Sequence, residues 1–146
     1  MELDSPFIDF ISKHHVMTLA TISKENVPSC CALFYVYIKE ANVFVFTSSE
    51  GTKHVENMVI NNKVAANIVL ETKVVGQIEG LQIEGEVVKA SESDVKNAKK
   101  EYLKKYPFAI FMDIDLWVLK PSALKLTDNK LGFGKKLLWS NLQEII

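Results

Sequence analysis

Hydrophobic and polar positions follow two different periods along the chain, and each change of period marks a change of element. Val16–Ile22 is rich in strand-forming residues, and aromatic and β-branched residues dominate Cys31–Ile38 and Val43–Thr47. Such segments are typical of strands, because these side chains fit a pleated, half-buried surface. With a polar turn over residues 23–28, they predict a three-strand antiparallel meander.

Three other segments have the spacing of helices. The first is predicted to begin at Ser5, because Ser suits an N-cap and Pro6 suits the first helical position. The second is predicted within Gly51–Asn62, where apolar residues recur at intervals of three and four. The third is predicted over Ser91–Tyr106, which opens with acidic residues, closes with lysines and is followed by Pro107.

The remaining strands are predicted over Val64–Leu70, within Val74–Lys89, and over Ile114–Leu119 and Ser122–Leu126. The second of these alternates apolar with polar residues, so one of its faces meets water or a partner. Its polar residues are Gln82, Glu84 and Glu86. Six or more short strands with few helices predict a mainly β fold, an antiparallel barrel with added helices, in a single domain over residues 1–146. Closing the sheet into a barrel removes its edges.

Length and composition fit one soluble domain. At 146 residues, 48% hydrophobic and 24% charged, the chain is long enough to bury a core without disulfide or metal staples. No apolar run reaches the roughly 20 residues that a membrane-spanning helix needs. The acidic N-terminus lacks the basic start and apolar run of a secretory signal. We therefore expect a cytoplasmic protein with no membrane partner.

The charge pattern restricts the class of ligand. The chain has 17 basic and 18 acidic residues, a net charge of −1, which argues against a nucleic-acid partner. All of the basic residues are Lys, so no guanidinium fork is present to bind carboxylates or phosphates. An anion site in this chain must use Lys, hydroxyl groups and backbone N–H groups.

The cysteines and histidines give no metal-ligand spacing. Cys30 and Cys31 are adjacent, and the three histidines do not combine with them into a zinc pattern. Neighbouring side chains on a strand point to opposite faces, so a disulfide between these two would distort the backbone. We expect reduced, structural thiols and no metal site.

The segment Thr47–His54 concentrates groups that bind phosphate. A strand ends there, hydroxyl side chains and Lys53 follow, and a helix then begins. Free N–H groups at a helix N-terminus, with hydroxyl donors and one ammonium group, form a phosphate site that needs no Arg. Ordinary N-capping by one Ser or Thr is the alternative, and the residues alone leave both interpretations open.

Three stretches of sequence resemble one known family: LATISKENVPSCCALFYVY, VFVFTSSEGTKHVENM and KVAANIVL. They are similar to the pyridoxamine-phosphate-oxidase-like family of FMN-binding split barrels, in which a flavin-lining strand is followed by a Thr/Ser-x-x-x-x-Thr/Ser-Lys phosphate segment. The tail LTDNKLGFGKKLLW is similar to a small bacterial branch of that family, the YhbP-like proteins. The resemblance extends from Phe7 to Trp139 and implies an antiparallel FMN-binding split barrel.

The resemblance also implies which residues contact the cofactor. The phosphate-binding positions of the family fall on Thr47, Ser48, Thr52 and Lys53. The strand whose backbone runs beside the isoalloxazine ring of FMN falls on Cys31, Ala32 and Leu33. Family members hold the flavin between two subunits, which implies a homodimer with the flavin at the subunit interface.

The chain departs from the family pattern in two places. The usual Gly-x-Pro of the first hairpin is Asn26-Val27-Pro28, which is tolerable because Asn accepts a left-handed conformation. The Arg residues with which true pyridoxamine-phosphate oxidases bind FMN phosphate and substrate are all absent. The resemblance therefore supports the fold and the flavin, and it counts against vitamin B6 oxidation.

The function that follows is that of an FMN-binding flavoprotein, an oxidoreductase that acts on a small substrate. The chemistry would belong to the flavin, which explains why the sequence shows no catalytic dyad. The alternative is a split-barrel module that binds a flavin or a haem-like group without turnover. Trp139 follows a glycine- and lysine-rich lead-in, Gly132–Lys136, and is predicted to lie near the ligand pocket, with ordinary packing as the alternative.

Overall fold

The computed structural model describes residues 2–111, 115–132 and 134–141 and contains three α-helices and seven strands in those ranges. The helices are α1 (Ser5–Lys13), α2 (Lys53–Ile60) and α3 (Glu92–Lys105). The strands are β1 (Val16–Ile22), β2 (Pro28–Ile38), β3 (Val43–Thr47), β4 (Lys63–Val69), β5 (Glu79–Lys89), β6 (Leu116–Asp128) and β7 (Lys136–Ser140). Among the described residues, no helix is both long enough and apolar enough to cross a membrane.

The strands form one antiparallel sheet in the order β3-β2-β1-β4-β5-β6-β7, and a further pairing of β3 with β6 closes it. Six strands therefore make the barrel, and β7 extends the sheet beyond β6. The pairing of β1 with β2 runs from Val16 opposite Phe34 to Ile22 opposite Pro28. The predicted mainly β, antiparallel barrel with added helices is confirmed.

The barrel interior is filled by the inward-facing residues of every strand of the closed sheet. Fully buried members include Met17, Leu19, Phe44, Phe46, Ile68 and Leu81. Helix α1 adds Phe7, Phe10 and Ile11 to this core, and the Tyr35 hydroxyl donates to the Ile11 carbonyl oxygen at 2.7 Å. This buried bond fixes α1 to β2, because an unmade bond in the core would leave a polar group without a partner.

Helix α3 covers the outer face of the β2–β3–β6 region. Its Ala98 and Tyr102 pack with Val36, Val45 and Val118 in a second cluster of buried residues. Residues on β3 alternate between the two clusters, since Phe44 and Phe46 belong to the interior and Val45 to the α3 side. Thr47, the last residue of β3, therefore lies on the same side as Val45, toward α3.

Strand β6 is continuous through Pro121, whereas the sequence predicts two strands separated there. The reason is that Pro121 lies where β6 changes partner: β3 pairs with Leu116–Leu119 and β7 with Ala123–Thr127, so the missing N–H removes no ladder bond. On the other side, the ladder with β5 shifts register between Glu84 and Gly85. A Cβ on Gly85 would lie 2.3 Å from the Lys120 carbonyl oxygen, so only glycine fits at this bulge.

The sequence analysis does not predict strand β7, and the remaining differences are at element ends. The N-cap of α1 is Asp4, one residue before Ser5, and strand β5 begins at Glu79, after a short 3-10 turn. Strand β6 begins at Leu116, and the predicted start at Ile114 lies outside the described residues. Asn26 has φ of 61°, the left-handed conformation expected for it at the hairpin turn.

Candidate functional site

Half of strand β2 has an open edge. On one side β2 pairs with β1 over Pro28–Phe34, and on the other it pairs with β3 only over Tyr35–Ile38. The ladder with β3 ends at Tyr35 opposite Phe46, and Thr47 then leaves β2 to pair with Leu116. Within the described part of the chain, nothing pairs with the outer edge of Pro28–Phe34.

The backbone groups on that edge are identified by the alternation of the strand. The Tyr35 N–H donates to the His15 carbonyl oxygen at 3.0 Å, on the β1 side. Because the hydrogen-bonding direction alternates from residue to residue, the N–H and C=O of Ala32 and Phe34 point to the open side. This edge offers backbone donors and acceptors to another molecule.

The segment Thr47–His54 lies beside this open edge, where β3 ends and α2 begins. Its first two hydroxyls point to opposite faces of the strand. The Thr47 hydroxyl lies 3.5 Å from the hydroxyl of Tyr102 on α3, whereas Ser48 is buried on the barrel side with its Oγ 2.7 Å from His54 Nε2. The structure therefore separates Thr47 from the other hydroxyls of the segment.

Ser48, Thr52 and His54 form one hydrogen-bonded group. The Thr52 hydroxyl donates to the Ser49 carbonyl oxygen at 2.9 Å, and its Oγ1 lies 3.4 Å from His54 Nε2. The imidazole thus sits between two hydroxyls. Burial lowers the pKa of His54 below its ordinary value, because a half-buried imidazolium loses hydration. Burial therefore favours the neutral form of His54 over the imidazolium.

Lys53 supplies an uncompensated positive charge at the start of α2. It is exposed, and it forms no ion pair with any described residue. Thr52 is the N-cap of α2 but makes no side-chain cap bond, so the first N–H groups of the helix are not capped by a hydroxyl. The ordinary N-capping that the sequence left open as an alternative is not what the Thr52 hydroxyl does.

Neighbouring elements hold this segment in place. On α2, Asn57 Nδ2 donates to Thr21 Oγ1 at 3.0 Å and to Ser29 Oγ at 3.3 Å, which anchors the helix to β1 and β2. Trp117 Nε1 donates to the Ser48 carbonyl oxygen at 3.4 Å. These bonds fix the segment relative to the open edge of β2.

A surface ion-pair network lies at the outer end of the segment. Lys89 Nζ is 3.3 Å from Glu50 Oε1 and 3.7 Å from Asp115 Oδ1. The hydrogen bond to Glu50 raises the pKa of Lys89, and the Asp115 charge adds to this effect. Among the described residues, both carboxylates pair with Lys89 and neither pairs with Lys53.

The flavin-strand positions on β2 divide between its faces. Ala32 is exposed, whereas Cys31 and Leu33 are half-buried and pack against the barrel core. Both cysteines are free thiols, with Cys30 on the exposed face. Burial raises the pKa of the Cys31 thiol, and the neighbouring Cys30 contributes further. Cys31 is therefore a protonated, structural thiol.

Trp139 does not lie with the other predicted site residues. It is half-buried on β7, packs against the barrel core and lines a separate cavity of about 950 Å³. Other residues lining that cavity include Tyr37, Asn42, Asn97 and Asn141. Its indole N–H is buried and has no partner among the described residues. Among the described residues, no hydrogen bond or ion pair connects Trp139 to Thr47–His54, so its role beside a cofactor stays a prediction.

The structure thus brings together Ser48, Thr52 and Lys53 beside the open edge at Ala32, and it adds His54, which the sequence analysis did not single out. In the sequence, the only sign of His54 is its position directly after Thr52 and Lys53. Its contact with Ser48 depends on the inward direction of the Ser48 side chain, which the sequence does not show. Among the described residues, no three potential His, Cys, Asp or Glu ligands cluster as they would around a metal ion.

The exposed face of the sheet next to the open edge carries small residues. Ala32 faces Thr18, and Thr18 faces Asn67, while Ala20 faces Cys30 and Ala65. Larger exposed apolar side chains surround them: Val16, Phe34, Val69 and Leu138. The predicted alternation on β5 is present, with Gln82, Glu84 and Glu86 exposed on this face.

Comparisons with known proteins agree on one family. Residues 5–127 match the family model described as pyridoxamine 5'-phosphate oxidase. A "UPF0306 protein" of Photorhabdus laumondii is 35% identical over 130 residues, which cover 89% of this chain and 90% of that protein.

Solved structures with low sequence identity share the fold. A haem-binding protein from Mycobacterium smegmatis has a TM-score of 0.77 at 17% identity, covering 96% of this chain and 60% of that one. An FAD-binding protein from Mesorhizobium loti has a TM-score of 0.67 at 14% identity, covering 84% of this chain and 92% of that one. At these identities the likeness shows a common architecture, one that serves both haem-binding and flavin-binding proteins.

Proposed function

The chain belongs to the pyridoxamine 5'-phosphate oxidase family, and from this premise we propose that it binds FMN and acts as an FMN-dependent oxidoreductase on a small substrate. The observation that carries the proposal is the pairing of two features: a bare strand edge at Ala32 and a segment with one free cation beside it. Flavin mononucleotide has a ring that suits the strand edge and a phosphate that suits the cation.

The ring of the flavin suits the open edge of β2. Its pyrimidine portion carries both N–H and C=O groups along one side, and the N–H and C=O of Ala32 face outward in the direction that such groups need. The small side chains around this edge leave room for a flat ring.

The phosphate of the flavin suits the start of α2. Lys53 would pair with it, and the uncapped N–H groups of the first turn would donate to it. Thr47 is on the far face of β3 against Tyr102, so we leave it out of the phosphate contacts. The proposed binding residues are therefore Ser48 and Lys53 at the phosphate and the backbone around Ala32 at the ring, with Thr52 holding the loop beside the phosphate through its bond to the Ser49 carbonyl oxygen.

When bound, FMN supplies hydride acceptance, and this chain's residues supply position and exclusion of water. Ala32 would orient the ring through its backbone, and Lys53 would fix the far end of the cofactor. Lys is a point charge without the bidentate geometry of Arg, so specificity for phosphate relies on the surrounding hydroxyl and N–H groups. The absence of Arg argues against pyridoxamine phosphate as the substrate.

We further propose a homodimer with the flavin at its interface. The exposed small-residue face adjoins the open edge, and its apolar rim includes Phe34, 56% exposed, and Leu138, 75% exposed. Trp139 would then reach the flavin only from the second copy. We expect the pair to bury more than about 1,000 Å². Light scattering that reports monomer at micromolar concentration would contradict this arrangement.

The alternative is a split barrel that binds a flavin or haem without turnover, a reading that the haem-binding structural relative supports. Two measurements separate the alternatives. A yellow protein with a flavin absorption band that NADPH or NADH bleaches under anaerobic conditions supports the oxidoreductase. A flavin that binds but is not reduced, or a haem band with no flavin binding, supports the module.

A further inference from the structure

Both hydroxyl groups of the proposed phosphate site, on Ser48 and Thr52, lie within hydrogen-bonding distance of an acceptor of the chain itself. Thr52 has one hydroxyl proton, and it goes to the Ser49 carbonyl oxygen at 2.9 Å. Ser48 has one, and in the neutral His54 tautomer that carries its proton on Nδ1, it goes to Nε2 at 2.7 Å. In this state neither hydroxyl has a proton left to donate to an anion.

Protonation of His54 reverses one of these bonds. An imidazolium carries a proton on Nε2 and becomes a donor to Ser48 Oγ, which has lone pairs to accept it. The Ser48 hydroxyl proton is then free to rotate toward a ligand. The same event adds a second positive charge next to Lys53.

We propose that His54 couples phosphate binding to proton uptake: an anion enters this site together with one proton, which resides on His54 Nε2 and releases the Ser48 hydroxyl to donate to the phosphate. The inference rests on the proposed FMN site and deepens it, because it makes His54 a positioning residue that decides when the site accepts a phosphate. In a chain without Arg, such a proton supplies the second cation of the site.

The surroundings of His54 favour the neutral form until an anion arrives. Burial is the cause that lowers the pKa of the imidazole. Ionisable groups on the adjoining described elements are Glu50 in the loop, Lys53 and Glu56 on α2, Lys89 on β5, Asp115 before β6 and Tyr102 on α3. Glu50 and Asp115 are paired with Lys89, and among the described residues neither forms an ion pair with His54.

The test measures FMN and riboflavin binding between pH 5.5 and 8 for the wild type and His54→Gln. In the wild type we expect FMN affinity to rise by up to about tenfold per pH unit as pH falls, the limit for uptake of one proton. The FMN phosphate has its own ionisation near pH 6, which affects both proteins equally. The excess slope of the wild type over His54→Gln is therefore the contribution of His54, and riboflavin should show no excess.

Two further measurements do not depend on the variant. Calorimetry of FMN binding in two buffers with different ionisation enthalpies should report proton uptake approaching one per site near pH 7. Nitrogen NMR of the imidazoles should show His54 with its proton on Nδ1 in the free protein and on both nitrogens in the FMN complex. FMN binding without excess proton uptake, or an Nε2–H tautomer in the free protein, overturns the inference and leaves the FMN site standing. If neither flavin binds at any pH, the proposed function fails, and the inference fails with it.

Discussion

The two halves of strand β2 are treated differently by the rest of the chain. In the second half, where β1 has ended, the Tyr35 carbonyl oxygen is covered by side chains of the α3 end. The Tyr106 hydroxyl donates to it at 2.6 Å and Lys105 Nζ at 3.3 Å. In the first half, the outward N–H and C=O of Ala32 have no such partner among the described residues. The chain thus covers the vacant position on the β1 side of β2 with side chains and leaves the opposite edge open at Ala32.

The chain covers the free carbonyl group of Tyr35 but not the backbone groups of Ala32. The open edge at Ala32 is therefore a specific feature of this fold. Lys105 is partly buried where it contacts the Tyr35 carbonyl oxygen, and this burial lowers the pKa of its amine. Its Nζ also lies 4.7 Å from the centre of the Tyr35 ring, a cation–π distance. An uncovered edge is a hazard for association unless a ligand or partner occupies it. The predictions below test whether the first half of β2 is a binding edge and the second half a structural one.

The largest effect is expected from placing proline at adjacent positions of β2. The N–H of Cys31 points to β1, so Cys31→Pro breaks the ladder and leaves an acceptor on β1 without its donor, which should lower the free energy of unfolding by up to about 3 kcal/mol. The N–H of Ala32 points to the open side, so Ala32→Pro should fold with a much smaller loss. It should nevertheless weaken binding of both FMN and riboflavin roughly tenfold, because the ring loses a backbone donor.

Urea denaturation and fluorescence titration measure these two effects separately. Wild-type flavin affinity in Ala32→Pro would remove the ring from this edge. Equal destabilisation by the two prolines would show that the edge is not open.

The next largest effect concerns Lys53. A charge-assisted contact to phosphate contributes on the order of 1.5–3 kcal/mol, so Lys53→Ala should weaken FMN binding by about ten- to a hundredfold. Riboflavin, which lacks the phosphate, should bind wild type and variant almost equally. Lys73→Ala, which removes an exposed lysine from the loop after β4, is the matched control and should leave both affinities unchanged. Equal FMN affinity in the wild type and Lys53→Ala would eliminate Lys53 as the phosphate ligand.

The sequence predicted the barrel well because alternation and β-branched content encode burial directly. Val16–Ile22 and Val43–Thr47 have the predicted bounds, and the family resemblance is confirmed. The sequence analysis was wrong at Pro121, because whether a proline breaks a strand depends on which neighbouring strand faces its missing N–H. That is a property of sheet order, which local pattern does not contain.

The candidate site was predictable in type but not in arrangement. The sequence shows four hydroxyls and a Lys between a strand and a helix. Because Thr47 is still part of β3, its side chain and that of Ser48 point to opposite faces, toward Tyr102 and His54 respectively. The importance of His54 follows from a 2.7 Å contact that only the folded chain creates. Trp139 is placed by β7, whose position at the sheet end depends on the whole strand order.

A smaller effect is expected in the structural half of β2. Tyr106→Phe removes the hydroxyl that donates its single proton to the Tyr35 carbonyl oxygen at 2.6 Å, with the His15 carbonyl oxygen 3.1 Å away. The Lys105 bond to Tyr35 remains, so we expect a loss of about 1 kcal/mol in the free energy of unfolding. Flavin affinity should not change, since the hydroxyl lies on the β1 side of the strand. A loss of flavin binding without a loss of stability would place the ligand at the covered edge and reverse the comparison.

The smallest effect is expected from Thr52→Val. The Thr52 hydroxyl proton is already donated to the Ser49 carbonyl oxygen, so its removal takes no direct donor away from the phosphate. The expected loss is indirect: the loop before α2 loses one hydrogen bond, worth about 0.5 kcal/mol, and FMN affinity falls about twofold. Ser48→Ala should weaken FMN binding more than Thr52→Val does, because it removes the hydroxyl proton that His54 releases. Titrating FMN and riboflavin against both variants below pH 6.5 makes this ranking measurable. A larger loss in Thr52→Val than in Ser48→Ala would mean that Thr52 is the donor to the phosphate and that its bond to Ser49 breaks when the ligand binds.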